Sequence, residues 1–147
     1  MELTGNRTIA APRETVWAAL NDPDVLRDCI PGCTDLTGSA EDGFQATVKQ
    51  KVGPVSATFK GEVTVEDAIP LERYRLSGAG KGGVAGFAKG HADVVLTDVP
   101  DGTELSYAVN AKVGGKIAQL GSRVVDSFAA KMADAFFERF KDRVEAG

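Results

Sequence analysis

Hydrophobic and polar positions change period three times along the chain. Leu3 to Ile9 reads as a first strand. Helical spacing then takes over, with Val16, Trp17 and Leu20 forming one apolar stripe. Pro12 suits the first helical position, and Glu14 lies in the first turn, where a negative charge favours the helix dipole. Asn21-Asp22-Pro23 is a second start signal, with Asp22 as N-cap and Pro23 at the first helical position. That short helix carries Val25, Leu26 and Ile30 and stops at Pro31-Gly32.

From Cys33 to about Gly114 the period is two. Phe44, Ala46, Val48 and Val52 alternate with polar residues, as do Val55, Ala57, Phe59, Gly61, Val63 and Val65. Tyr74 with Leu76, then Ala92 with Val94 and Leu96, then Leu105, Tyr107, Val109, Ala111 and Val113 repeat the pattern. Gly53-Pro54, Ile69-Pro70, Lys81-Gly82-Gly83 and Pro100-Asp101-Gly102 supply the turns. The segment predicts a meander of antiparallel strands with one buried face.

Helical period returns from Lys116 to about Arg143. Ile117, Leu120, Val124, Phe128, Met132, Ala135, Phe136 and Phe140 fall three or four apart with one adjacent pair, and Val125, Ala129, Ala133 and Phe137 widen the stripe. A helix of about 27 residues is about 40 Å long. An apolar side of that length has to lie across the buried face of the sheet. The expectation is one α+β domain over residues 1–147. It has a helix-grip architecture: a curved antiparallel sheet of about seven strands, two short helices after the first strand, and a long C-terminal helix over the sheet.

The inward phase is rich in small residues: Ala46, Ala57, Gly61, Gly78, Gly80, Ala88, Gly90, Ala92 and Ala111. Small side chains at the centre of a curved sheet leave volume that Leu or Ile would fill. They also let strands bend sharply or mark bulges, and the two readings are compatible. The pattern predicts an apolar pocket lined by Phe59, Gly61, Val63, Tyr107, Val109, Leu120, Val124 and Phe128. Gln50 is the polar residue on its strand's inward phase. It is a candidate hydrogen-bond donor to a ligand oxygen, or a rim residue in water. Gly121, one turn into the long helix, reads as a soft point that gates the pocket or as a close packing contact.

Charge narrows the functional classes. There are 17 basic and 21 acidic residues, a net charge of −4. That balance argues against binding duplex nucleic acid, which needs a basic stripe. No run of about 18 apolar residues predicts a transmembrane helix, and Met1-Glu2-Leu3-Thr4 lacks the start of a signal peptide. A soluble cytoplasmic protein is expected. Cys29 and Cys33 are too few for a disulfide framework or a complete zinc site, so no metal and no cofactor are expected. His91, the single histidine, shares the solvated phase with Lys89 and Asp93. The glycine-rich stretch over residues 78–86 fails the phosphate-loop pattern. No inward pair of carboxylates offers general acid and base, so no catalytic residues are assigned.

Three stretches resemble a known family. They are Pro12-Arg13-Glu14-Thr15-Val16-Trp17-Ala18-Ala19-Leu20-Asn21-Asp22-Pro23, the turn Ile30-Pro31-Gly32-Cys33, and Gly115-Lys116-Ile117-Ala118-Gln119-Leu120-Gly121-Ser122-Arg123 with Lys131-Met132-Ala133-Asp134-Ala135-Phe136-Phe137. The order of elements resembles the START/Bet v 1-like superfamily, also called SRPBCC. Within it these stretches resemble the CoxG family of carbon monoxide dehydrogenase subunits. The resemblance implies a non-enzymatic accessory protein for molybdenum hydroxylases of the carbon monoxide dehydrogenase type. It implies a pocket carrying a lipid such as a quinone, and a peripheral place on the inner face of the cytoplasmic membrane. Two other functions fit the architecture: a small polyketide cyclase or hydrolase, which needs titratable groups in its pocket, and an assembly adaptor acting through its surface.

Overall fold

The computed structural model describes residues 1–146. β1 (Glu2–Ile9) leads into α1 (Arg13–Leu20) and α2 (Pro23–Cys29). The meander follows: β2 (Cys33–Ser39), β3 (Gly43–Val52), β4 (Val55–Ile69), β5 (Arg73–Lys81), β6 (Phe87–Val99) and β7 (Gly102–Gly114), with one 3₁₀ turn at Gly83–Ala85 between β5 and β6. A four-residue helix, α3 (Lys116–Gln119), precedes the long α4 (Ser122–Glu145). All seven strands form one antiparallel sheet in the order β1-β7-β6-β5-β4-β3-β2, so the N-terminal strand closes the ladder beside the last. This is the α+β architecture that the periodicity predicts.

Local chemistry explains the element boundaries. The Asp22 carboxylate accepts a 2.9 Å hydrogen bond from the Asp24 amide, and Pro23 sits where its missing N–H costs nothing. Pro12 is the N-cap of α1 in extended conformation, one residue earlier than the expected first helical position. Strand pairing brings Gly78 opposite Gly90. A Cβ at Gly78 would stand 2.6 Å from the Glu62 carbonyl oxygen, and one at Gly90 would stand 2.1 Å from that of Asn110. These two glycines let adjacent strands approach and bend.

The core sits at one end of the grip. Ile9, Val16, Cys29, Leu105 and Phe140 are buried there, with Phe137 and Val144 from the last turns of α4. The buried Thr103 hydroxyl donates 2.7 Å to the Ala11 carbonyl, and the Ala10 amide donates to Glu145. Arg143 pairs with Asp28, fastening α4 to α2. By contrast, α4 has no buried residue before Phe137. Its first half rests on the sheet rather than sinking into it.

Candidate functional site

An apolar cavity of about 290 Å³ lies beside this core. Its floor is the inner face of the sheet: Phe44 and Ala46 of β3, Val63 of β4, Leu76 of β5, Ala92 and Val94 of β6, and Tyr107 and Val109 of β7. Its lid is Ala133, Phe136 and Phe137 of α4, and Leu20, Leu26 and Ile30 close one end from α1, α2 and the following turn. Ala46 and Ala92 are the small side chains of that floor. The aromatic side chains of the lid are locked against one another. Tyr107 stacks on Phe137 with centroids 5.2 Å apart, and Phe136 meets Phe137 edge-on at 5.1 Å.

Two tyrosines, Tyr74 and Tyr107, are among the residues that line this space. The Tyr107 hydroxyl accepts a 3.3 Å hydrogen bond from Arg7. Arg7 also pairs with Asp134 at 2.6 Å and lies 5.3 Å from the Phe137 ring centroid, so one cation ties β1, β7 and α4 together at the cavity wall. Tyr74 differs. It is 5% exposed, and Trp17 packs edge-on against its ring at 5.3 Å. Burial alone pushes its hydroxyl pKa up, with no hydrogen bond contributing. Among the described residues no side-chain polar atom is sealed from solvent without a partner. The Tyr74 hydroxyl makes no hydrogen bond among the described residues, so it keeps some access to solvent.

The sequence profile of CoxG, a carbon monoxide dehydrogenase subunit, matches residues 5–145. The chain belongs to the CoxG family. Solved structures agree on the fold. A conserved protein from Geobacillus kaustophilus is 30% identical, with a TM-score of 0.92 over 99% of this chain and 96% of that one. A protein from Rhodobacter sphaeroides is 22% identical, with a TM-score of 0.72 over 99% and 93%. One from Thermus thermophilus is 18% identical, with a TM-score of 0.70 over 99% and 98%. No curated protein matches. The CoxG name is that of a subunit and associates the chain with carbon monoxide dehydrogenase; it names no reaction. Among the described residues no helix is long and apolar enough to cross a membrane.

This CoxG-family cavity gathers some of the expected lining and leaves the rest outside. Val63, Tyr107 and Val109 line it. Phe59 lies further along β4, with its ring over Gly82. Gly61 borders a hollow shared with Lys60, Glu62 and Lys81 on the outer face. The Gln50 side-chain amide donates 2.6 Å to the Pro31 carbonyl, so it fastens the turn after α2 instead of facing a ligand. Leu120 and Val124 sit against Gly53 in the β3–β4 turn, and Phe128 is half-buried along the loose half of α4. Gly121 does not lie inside a continuous helix. It separates α3 from α4 at φ 95°, ψ 155°, a conformation essentially reserved for glycine.

Sequence reasoning puts Tyr74 on the inward phase without naming it as lining, and it misses Leu3, Leu20, Leu26, Ile30, Leu36, Ala133, Phe136 and Phe137. Ala133, Phe136 and Phe137 were visible as part of the helix stripe. Nothing in periodicity says which half of that stripe faces a cavity. Both cysteines are free; Cys29 is buried, and burial raises its thiol pKa, which suits packing rather than reactivity.

Proposed function

We propose that this chain is a non-enzymatic carrier of a hydrophobic small molecule, a lipid or a quinone. In this role it serves a carbon monoxide dehydrogenase-type molybdenum hydroxylase at the inner face of the cytoplasmic membrane. The observation that carries the reading is the cavity lining, made up of aliphatic and aromatic residues, two of them tyrosines. Such a surface suits a flat ring and an alkyl or isoprenoid chain, each buried methylene contributing about 0.8 kcal/mol. The free Tyr74 hydroxyl suits one ligand oxygen, such as a quinone carbonyl. The lining has no carboxylate, histidine or lysine to exchange protons with a substrate, which supports carriage over conversion.

Titration with a soluble quinone analogue tests the reading, alongside native mass spectrometry of an organic extract of the purified protein. Wild type binds, and Ala92→Leu binds at least tenfold more weakly while unfolding cooperatively. Equal binding by both places the ligand elsewhere. No binding by wild type ends the carrier reading and leaves a surface adaptor.

A further inference from the structure

The net charge of −4 conceals a segregation. Residues 43–61, 73–92 and 105–125 contain ten of the 17 basic residues and none of the 21 acidic ones. The topology brings parts of these three segments to one end of the molecule. The β3–β4 turn touches Leu120 and Val124 at Gly53, and the β5–β6 connection touches the start of α3, where Gly86 meets Gly114 and Ile117. Lys49, Lys51, Lys60, Lys81, Lys89, Lys112, Lys116 and Arg123 all lie toward this end, and all are exposed. Lys60 stands directly opposite Lys81 in the ladder, and Lys89 opposite Lys112. Like charges directly across a strand pair destabilise a sheet. Among the described residues none of these eight cations joins a salt bridge; the ion pairs use Arg7, Arg13, Arg27, Arg75 and Arg143 instead.

Asp35 and Glu62 share a hollow with Lys60 and Lys81, and Asp126 lies beside Lys112, so the eight cations outnumber the acids among them. Next to these cations stand the two most exposed large apolar side chains. Val84, at the apex of the β5–β6 connection, is 83% exposed, and Phe87, paired with Lys81, is 47% exposed. Apolar residues projecting from a ring of lysines match a bilayer interface, where headgroups take the charge and the acyl boundary takes the apolar tips.

We propose that this end of the molecule, from the β3–β4 turn across the β5–β6 connection to α3, is a docking surface for a bilayer bearing anionic lipids. The proposal gives residues to the membrane part of the function proposed above and does not depend on what the cavity holds. Co-sedimentation of the full chain with quinone-free vesicles tests it. The protein sediments with vesicles of phosphatidylcholine and phosphatidylglycerol, much less with phosphatidylcholine alone, and added salt releases it. Lys81→Gln with Lys89→Gln lowers the partition roughly 25-fold, at about fivefold per lysine. Arg139→Gln with Lys141→Gln, an equal loss of charge near the fastened end of α4, leaves it within about twofold of wild type, since screening confines the effect. Val84→Ser, at a site too exposed to matter for folding, lowers it several-fold. Equal binding to both vesicle types, equal loss in the two double variants, or tighter binding to single-stranded RNA than to the anionic vesicles would overturn the proposal. Each of these results leaves the cavity titration in solution unaffected.

Discussion

Tyr74 is a buried tyrosine whose hydroxyl has no hydrogen-bond partner among the described residues, and that makes it chemically informative. Tyr74→Phe removes one donor and little else. Affinity for a carbonyl-bearing ligand should fall about two- to tenfold, the equivalent of one hydrogen bond. Affinity for a hydrocarbon of equal size should not change. A titration pair of this kind separates recognition from greasiness. The same hydroxyl carries a pH signature. Its folded pKa is raised, so its contribution to stability is complete below the ordinary tyrosine value of about 10 and is lost as pH rises beyond it. Alkaline unfolding should therefore begin earlier in wild type than in Tyr74→Phe, as circular dichroism against pH will show. Gly121 makes a second case at this scale. A Cβ there would meet nothing within 4 Å, yet its backbone angles exclude other residues. Gly121→Ala should cost about 1–3 kcal/mol in urea unfolding through strain alone. The sequence suggests the opposite, because Ile117, Leu120 and Val124 keep helical phase across the break and hide it.

Among the elements, α4 divides into two halves with different jobs. From Phe137 onward it is anchored by Phe140 and Val144 in the core and by Arg143 on Asp28. Before Phe137 it has no buried side chain, and Val124 is 37% exposed. Local stability follows local burial. Amides from about residue 126 to 133 should exchange with deuterium well before those from 137 to 144, by mass spectrometry of peptides. The meander was legible, because alternation is a direct image of a sheet with one wet face, but β2 (Cys33–Ser39) and the far ends of β5 and β6 were not. Helix phase was legible too. Depth was not: a stripe records which side faces inward, and the same stripe serves a packed core and a loosely covered groove. That is why Leu120 before the helix, and Val124 and Phe128 on its loose half, read as cavity lining, while Phe136 and Phe137 read only as part of the stripe. The small residues divide in the same way. Gly78 and Gly90 serve curvature, whereas Ala46 and Ala92 leave space, and only strand register separates the two uses.

At the scale of the whole molecule, the fold and the family were legible from the order of elements and three short stretches. The polarity of the surface was not. A chain-wide sum of charges averages over the very distances at which screening makes position matter, about 8 Å in physiological salt. Only the ladder shows Lys60 beside Lys81 and Lys89 beside Lys112. The cavity has a further consequence, this time for kinetics. At about 290 Å³ it sits at the bottom of the range for small-molecule sites. On the carrier reading, a quinone ring with its nearest isoprene unit would fill that space and a long tail would extend beyond it. Every methylene left in water costs about 0.8 kcal/mol, so a long-tailed ligand should not leave the bilayer as a fully enclosed cargo. Hand-over should occur by collision, with the ring in protein and the tail still in lipid. Transfer of a long-tailed quinone between two vesicle populations should then speed up in proportion to acceptor vesicle concentration. A short-tailed analogue, which fits whole, should instead reach a plateau set by its own release from the protein.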